Sequence, residues 1–339
     1  MSKSGSTRRV GVIGDGGMGT LCACLLAEGG AEVILWSAFA DHAARLAADR
    51  ENRQFLPGVP LPEGVRPTAD AADLPRDPVF LVSAVPTPYL RAVMQRLKSR
   101  LPDAPIVSVS KGIENETLQR PSEVIGDVLP QRTVAVLSGP CIAFEVARRM
   151  PATVVVAAED QALAETVQEA MGNPYFRVYY NSDVLGVELG GPLKNVIALA
   201  AGICDGLEIG VNAKAALLTR GLAEMTRLGV ALGARRETFA GLAGVGDLIT
   251  TCVSAHGRNR TVGERIGRGQ SLDQVLEGMN EQVAEGVPTT RSVVALAARC
   301  GVEMPITGQV YEVLFSGKSP RQAIHDLMTR PWRSEEEAF

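Results

Sequence analysis

Two polar side chains, Lys194 and Asn195, interrupt an otherwise apolar stretch, LGGPLKNVIALAAGIC, over Leu189–Cys204. Leu193, Val196, Ile197, Ala200, Ala201 and Cys204 recur at helical spacing, and most other positions are Ala, Leu or Gly, so the stretch reads as a buried helix. Gly190, Gly191 and Pro192 predict that the helix opens there, with the proline in its first turn. A lysine buried in such a helix loses the hydration of its charged form, which lowers its pKa toward the range of a general base near neutral pH. The alternative is a lysine that snorkels to the surface from the first turn. Lys111 follows a strand-like run, Ala104–Ser110, and precedes Gly112. It can approach the same substrate, or be a solvated loop lysine. Asp247, within GVGDLITTC, stands near a helix start with Thr251 one turn further on the same face. A carboxylate there can orient and tune a lysine, or simply cap the helix. Arg258 and Asn259, within HGRNRT, precede a helical run to Arg268. A guanidinium fork beside a helix N-terminus suits a phosphate, against the plain alternative of a basic surface loop. A base, support for charge on oxygen and a grip on an anion are what hydride removal from an alcohol requires.

The elements that would hold such chemistry begin at the N-terminus. RVGVIG reads as a buried strand, followed by Gly14-Asp15-Gly16-Gly17-Met18-Gly19, a helical run to Glu28, and a second strand, AEVILW, ending at Trp36. Strand, G-x-G-x-x-G, helix and strand within about thirty residues form a dinucleotide-binding fingerprint. Gly14 permits the tight turn, Gly16 lets a pyrophosphate approach the backbone, and Gly19 lets helix and strand pack closely. The second strand ends in Trp36-Ser37-Ala38-Phe39, with neither an acid nor an arginine to sort the ribose 2′ position, so NAD and NADP stay undistinguished. Ser37 can serve either ribose or act as a turn residue.

Further strands are read at Pro78–Val85, Ala104–Ser110, Thr133–Leu137, Thr153–Ala158 and Phe176–Tyr180, alternating with helices, while Asn52–Pro67 reads as a proline-rich loop. This predicts an α/β Rossmann unit with a doubly wound, mostly parallel sheet. Beyond Ser182 every periodic segment is helical, so an all-α unit follows. The expected domains are residues 1–187 for dinucleotide binding and 188–339 for substrate binding and catalysis.

With 339 residues, 46% hydrophobic and 21% charged, the chain has room for two ordinary cores. A net charge of −4 gives no general pull toward nucleic acid or anionic membrane. The six cysteines are scattered without CxxC pairs or nearby histidines at metal spacing, so free thiols in a reducing compartment and no metal site are expected. No uninterrupted apolar run of 18 residues and no signal-like N-terminus occur, which predicts a cytoplasmic chain without a membrane span.

Taken together, GDGGMGT at Gly14–Thr20, SKG at Ser110–Gly112, SGP at Ser138–Pro140, GGPLKNVIALAAG at Gly190–Gly202, NAKAALLTRGLAEM at Asn212–Met225, GLAGVGDLITTC at Gly241–Cys252, GRNR at Gly257–Arg260 and GVEMPIT at Gly301–Thr307 resemble the bacterial-type NAD(P)-dependent glycerol-3-phosphate dehydrogenases. The resemblance runs from about Val10 to Met328. It implies interconversion of sn-glycerol 3-phosphate and dihydroxyacetone phosphate with NAD or NADP, commonly supplying phospholipid synthesis, by a homodimer. Carried across residue by residue, it implies Lys194 as proton acceptor, with Lys111 and Asp247 at the catalytic centre. Lys111, Gly139, Asn195, Asp247, Thr251, Arg258 and Asn259 would meet the substrate. Gly17, Met18, Lys111, Ala143, Arg258, Val283 and Glu285 would meet the cofactor. Cys141 and Gly257 depart from the pattern, replacing hydroxyl residues on the substrate side. Met18 replaces a common aromatic, and Ala38 a frequent basic side chain. Two other readings share these features: a related 3-hydroxyacid dehydrogenase, and a non-enzymatic NAD(H)-binding redox sensor.

Overall fold

The computed structural model describes residues 8–279, 283–332 and 334–335. Eight strands form one sheet: β1 (Arg9–Ile13), β2 (Glu32–Trp36), β3 (Val65–Thr68), β4 (Phe80–Ser83), β5 (Ile106–Ser108), β6 (Val134–Ser138), β7 (Ala152–Ala157) and β8 (Phe176–Asn181), in the order β3-β2-β1-β4-β5-β6-β7-β8. All neighbouring pairs are parallel except β6 with β7. The expected doubly wound, mostly parallel sheet is therefore the observed one. Side chains alternate between two buried faces, as the period of two in a strand demands. Val10, Val12, Val33 and Leu35 join one core with the helices Gly17–Glu28 and Gln161–Met171, while Ile13 and Trp36 join another with Thr87–Leu97 and Pro121–Val128.

β3 corrects the reading of Asn52–Pro67 as loop. It is an edge strand of four residues carrying Pro67. An edge position tolerates a residue with no N–H to give to a ladder, so the proline that marked a loop in the sequence does not exclude a strand.

The chain divides into Met1–Ser110 with Pro121–Val184, and Lys111–Arg120 with Leu185–Phe339. The second unit thus begins three residues before the expected 187/188 boundary. It also takes in a ten-residue excursion between β5 and the helix Pro121–Val128. Several contacts seat that excursion in the helical unit. Ser292 Oγ donates to the Ile113 carbonyl at 3.0 Å. Arg120 pairs with the buried Glu188 at 2.5 Å. Ile113 packs in the helical core.

That core surrounds the helix Val184–Gly206. The helix starts well before the expected opening at Gly190–Pro192, and Pro192 lies inside it. The proline withholds one N–H from the ladder, a fault normally confined to first turns. By length and composition this helix passes for a membrane span, yet 89% of its apolar window is buried within the structure, as for a core helix of this kind.

The glycines around it have a second purpose. A Cβ on Gly202 would stand 1.9 Å from the Arg260 carbonyl oxygen, and one on Gly263 would stand 2.0 Å from that of Leu199. The helix Arg258–Gly267 therefore lies backbone against backbone on Val184–Gly206. Elsewhere, Glu224 of the helix Val211–Ala231 accepts from Ile306 N at 2.6 Å and Thr307 N at 3.2 Å. It caps the helix Pro305–Phe315 from outside, and burial pushes its carboxyl up to about 7.

Gly202→Ala should force the two helix backbones apart. Overpacking of this kind costs about 1–3 kcal/mol, so the unfolding midpoint in denaturant should fall clearly. An unchanged midpoint would mean that the helices do not meet at Gly202.

Candidate active site

In the α/β unit, β1 runs into the glycine turn. Gly14 takes φ +103°, a region that favours glycine, and a Cβ at Gly19 would stand 1.9 Å from the Gly14 carbonyl oxygen. Gly16 differs from both: nothing lies within 4 Å of where its Cβ would be. Open space over a backbone at the N-terminus of the helix Gly17–Glu28 is what a pyrophosphate needs, so these residues fit a dinucleotide. Gly17 is packed against the Phe55 carbonyl and approaches Ala143, which opens a short helix after β6. Met18 packs partly buried on the core. Gly139, between β6 and that helix, has φ +129°, and Cys141 is half-buried beside it.

Ser37, which could serve a ribose or a turn, makes the bonds of a turn. It is fully buried, its Oγ donates to the Phe39 carbonyl at 3.1 Å, and it accepts from Phe39 N at 3.2 Å. The turn reading is the one its position supports.

Behind the glycine turn lies a polar network that the motif itself does not reveal. Asn52, fully buried, donates to the Asp15 carbonyl and to Thr20 Oγ1, both at 2.7 Å. The Asp15 carboxylate meets His42 Nδ1 at 2.5 Å. The partners come from 27 and 37 residues away, so no local spacing marks them.

The lysines and the aspartate meet in the helical unit. Asp247 is 2% exposed and bridges them: Oδ2 accepts from Lys111 Nζ at 2.6 Å, and Oδ1 accepts from Lys194 Nζ. Lys194 also donates to Thr251 Oγ1 at 2.6 Å. Lys194 does not snorkel; it is 5% exposed. Burial pulls its pKa down to about 8, Asp247 opposes that fall, and Lys111 adds to it. For Asp247, burial raises the carboxyl, but the two ammonium groups together outweigh it and hold it below the usual range.

Backbone geometry explains how these side chains meet. The chain before Asp247 makes a π-helical turn over Leu242–Gly246, with Gly246 N bonded to the Gly241 carbonyl five residues back. That turn presses its Ala243 carbonyl onto the helix at Gly190, where a Cβ would stand 2.1 Å away. At Gly191 a Cβ would touch the Lys111 stem at 3.0 Å. The two glycines read as a helix opening are therefore clearances inside a helix, one for a backbone and one for a lysine. Asp247 is the first residue of the helix Asp247–Val253, and its carboxylate goes to the lysines instead of capping the helix.

Arg258 opens the helix Arg258–Gly267, exposed and without a carboxylate partner among the described residues. A cation there opposes the helix dipole, an arrangement suited by an anion. Buried Asn259 accepts from Gly286 N at 2.9 Å through Oδ1. Its Nδ2 makes no hydrogen bond among the described residues. Gly286 also lies against the Asn195 carbonyl, which places Asn195, Asn259 and the adjoining Val283–Glu285 segment in one neighbourhood. Glu281 and Gln282, the start of that loop, lie outside the described residues. Gly257 has a local reason for its departure: a Cβ would stand 2.9 Å from the Thr251 carbonyl oxygen.

A Rossmann sheet with an open glycine turn, joined in sequence to an all-helical unit holding a buried lysine–aspartate pair, defines a two-domain nicotinamide-dependent dehydrogenase. Family models described as NAD-dependent glycerol-3-phosphate dehydrogenase N-terminus and C-terminus match residues 9–164 and 183–325. A glycerol-3-phosphate dehydrogenase of the NAD(P)+ type from Geobacter sp. (strain M21) is 51% identical over 331 residues, covering 96% of this chain and 98% of the relative. One from Streptomyces coelicolor is 48% identical over 330 residues, again covering 96% and 98%. The crystal structure of glycerol-3-phosphate dehydrogenase from Coxiella burnetii superposes with a TM-score of 0.92 at 37% identity, covering 96% of this chain and 99% of that one. This chain belongs to the NAD-dependent glycerol-3-phosphate dehydrogenase family.

Asp247→Asn removes the charge that holds Lys194 up and leaves Lys111 as its remaining charged neighbour. Lys194 should then titrate below about 8, which nitrogen NMR of the side-chain amine would read. A value that stays put or rises would mean that Asp247 does not set it.

Proposed function

We propose that this chain interconverts sn-glycerol 3-phosphate and dihydroxyacetone phosphate by hydride transfer with NAD(P), with Lys194 as the proton-transferring group. The observation that supports this assignment is the bridging of Lys194 and Lys111 by the buried Asp247 carboxylate. A lysine drawn down to about 8 has a neutral fraction near physiological pH, and a neutral amine can accept the hydroxyl proton at C2 of the substrate.

When bound, the nicotinamide supplies the hydride acceptor for oxidation and the hydride donor for reduction. The glycine turn Gly14–Gly19 would hold the pyrophosphate of that cofactor. Lys194 takes the C2 hydroxyl proton in oxidation and returns it in reduction. Lys111 and Asn195 support the charge that develops on the oxygen. Asp247 holds both ammonium groups in register, and Thr251 fixes the direction of the Lys194 amine. Arg258 and the Asn259 Nδ2 group grip the substrate phosphate at a helix N-terminus. A homodimer working in the cytoplasm to feed phospholipid synthesis completes the reading, and the family resemblance supports the dimer and the pathway.

Steady-state rates with dihydroxyacetone phosphate and each reduced nicotinamide cofactor test the reaction. Lys194→Ala should then lower kcat by about 10²- to 10⁴-fold, the usual contribution of a general acid–base, while a dinucleotide still binds. A variant within threefold of wild type, roughly 0.6 kcal/mol in barrier, would remove Lys194 from this role.

The pH dependence has a definite sign. The base must be neutral to accept a proton, so glycerol 3-phosphate oxidation should rise with pH through an apparent pKa of about 8. Reduction needs the ammonium form and should fall through the same value. Parallel profiles in the two directions would contradict the assignment.

A further inference from the structure

The end of β2 is where a Rossmann unit sorts its dinucleotides. An acid there bonds the ribose 2′-OH of NAD, and a nearby arginine accommodates the 2′-phosphate of NADP. Neither follows Trp36 directly, and Ser37 is buried and committed to its own turn. The first acid is Asp41, which already belongs to the first turn of the next helix.

Structure brings a cation to this spot from elsewhere. Arg96, near the end of the helix Thr87–Leu97, lays its guanidinium over the Trp36 ring, 5.3 Å from the centroid. Its Nη1 donates to the Ala38 carbonyl at 3.3 Å. Trp36 is itself held, its Nε1 donating to the Ala69 carbonyl at 3.1 Å. The arginine is thus anchored by stacking and by one hydrogen bond to the backbone just past the strand. It remains exposed, and no carboxylate pairs with it among the described residues. A planar fork fixed in this way keeps further N–H groups for a phosphate. The nearby carboxylate of Asp73 is taken up by Thr68 and Arg66.

We infer that Arg96 receives the 2′-phosphate of the dinucleotide, and that this chain favours NADP(H) over NAD(H). The inference rests on the dinucleotide-binding reading above and adds the cofactor preference to it. The basic side chain that the sequence lacks at Ala38 is replaced from 58 residues away.

Two readouts test this. Binding of 2′,5′-ADP and of 5′-AMP to the full chain measures the 2′-phosphate contact without turnover. The ratio of kcat/KM for NADPH over NADH measures it during the reaction. Wild type should prefer the 2′-phosphorylated member of each pair. Arg96→Ala should reduce both preferences roughly tenfold, the scale of one charge-assisted contact. Arg96→Gln, which keeps a donor for Ala38, guards against a folding defect and should show the same loss. Lys98→Ala removes the same charge from the same helix end and should leave both ratios as they are. Unchanged ratios in the Arg96 variants, an equal fall in Lys98→Ala, or a wild-type preference for NADH would each overturn the inference. A chain that binds neither dinucleotide would overturn the underlying reading, and this one with it.

Discussion

The helical unit depends on one buried carboxylate shared by two lysines. Lys194 in an apolar helix bears a desolvation cost that several kcal/mol of attraction must offset. Asp247, equally buried, bears its own. Neither charge is tenable alone there, and each makes the other tenable, with Lys111 as the third member. Such an arrangement must keep its groups at hydrogen-bonding distance and angle, because a buried charge left without a partner is costly. This requirement accounts for the backbone features around it. Gly190 admits a carbonyl, the π-helical turn re-aims the chain before Asp247, and Gly191 admits the lysine stem. Wide turns of this kind recur at functional sites because they redirect one residue without ending the helix.

The α/β unit solves a related problem with neutral groups. A glycine turn is intrinsically loose, and its backbone must stay open toward a ligand while its underside is held. Asn52 does the holding, with two donated bonds and one accepted from Phe55 N at 3.1 Å. The Asp15–His42 contact adds a polar pair buried beneath the same turn. The turn is thereby shaped from below, leaving the Gly16 side clear.

Much of this was legible in the residues. Glycines at fixed spacing after a buried strand announce their turn, and a lysine in an apolar helix announces itself by its cost. Asp247 and Thr251, one helical turn apart, share a face as their spacing requires. What could not be read has a common cause: it depends on approach between segments distant in sequence. Gly190 and Gly191 look like a helix opening because glycine and proline punctuate helices more often than they clear space within them. Pro67 hid an edge strand for a similar reason. Arg96, Asn52 and Glu188 carry ordinary side chains whose meaning lies in partners 58, 37 and 68 residues away. The scatter of the cysteines already predicted free thiols, and the structure adds their burial: Cys24, Cys204 and Cys252 are buried, which pushes their thiols up to about 12, 11 and 12.

The excursion Lys111–Arg120 has a consequence for the order of assembly during synthesis. Lys111 and Asp247 lie 136 residues apart, so at roughly 5–20 residues per second the lysine leaves the ribosome about 7–27 s before its carboxylate does. The last sheet strand, β8, ends at Asn181 and Lys194 follows soon after, so the whole α/β unit and both lysines are made while the site still lacks its anion. Asp247 and Thr251 arrive next, and Arg258 only then. The nascent chain therefore carries its sheet, its glycine turn and both site lysines well before the carboxylate that bridges them, so the ionic contacts of the site form only after the α/β unit has been made.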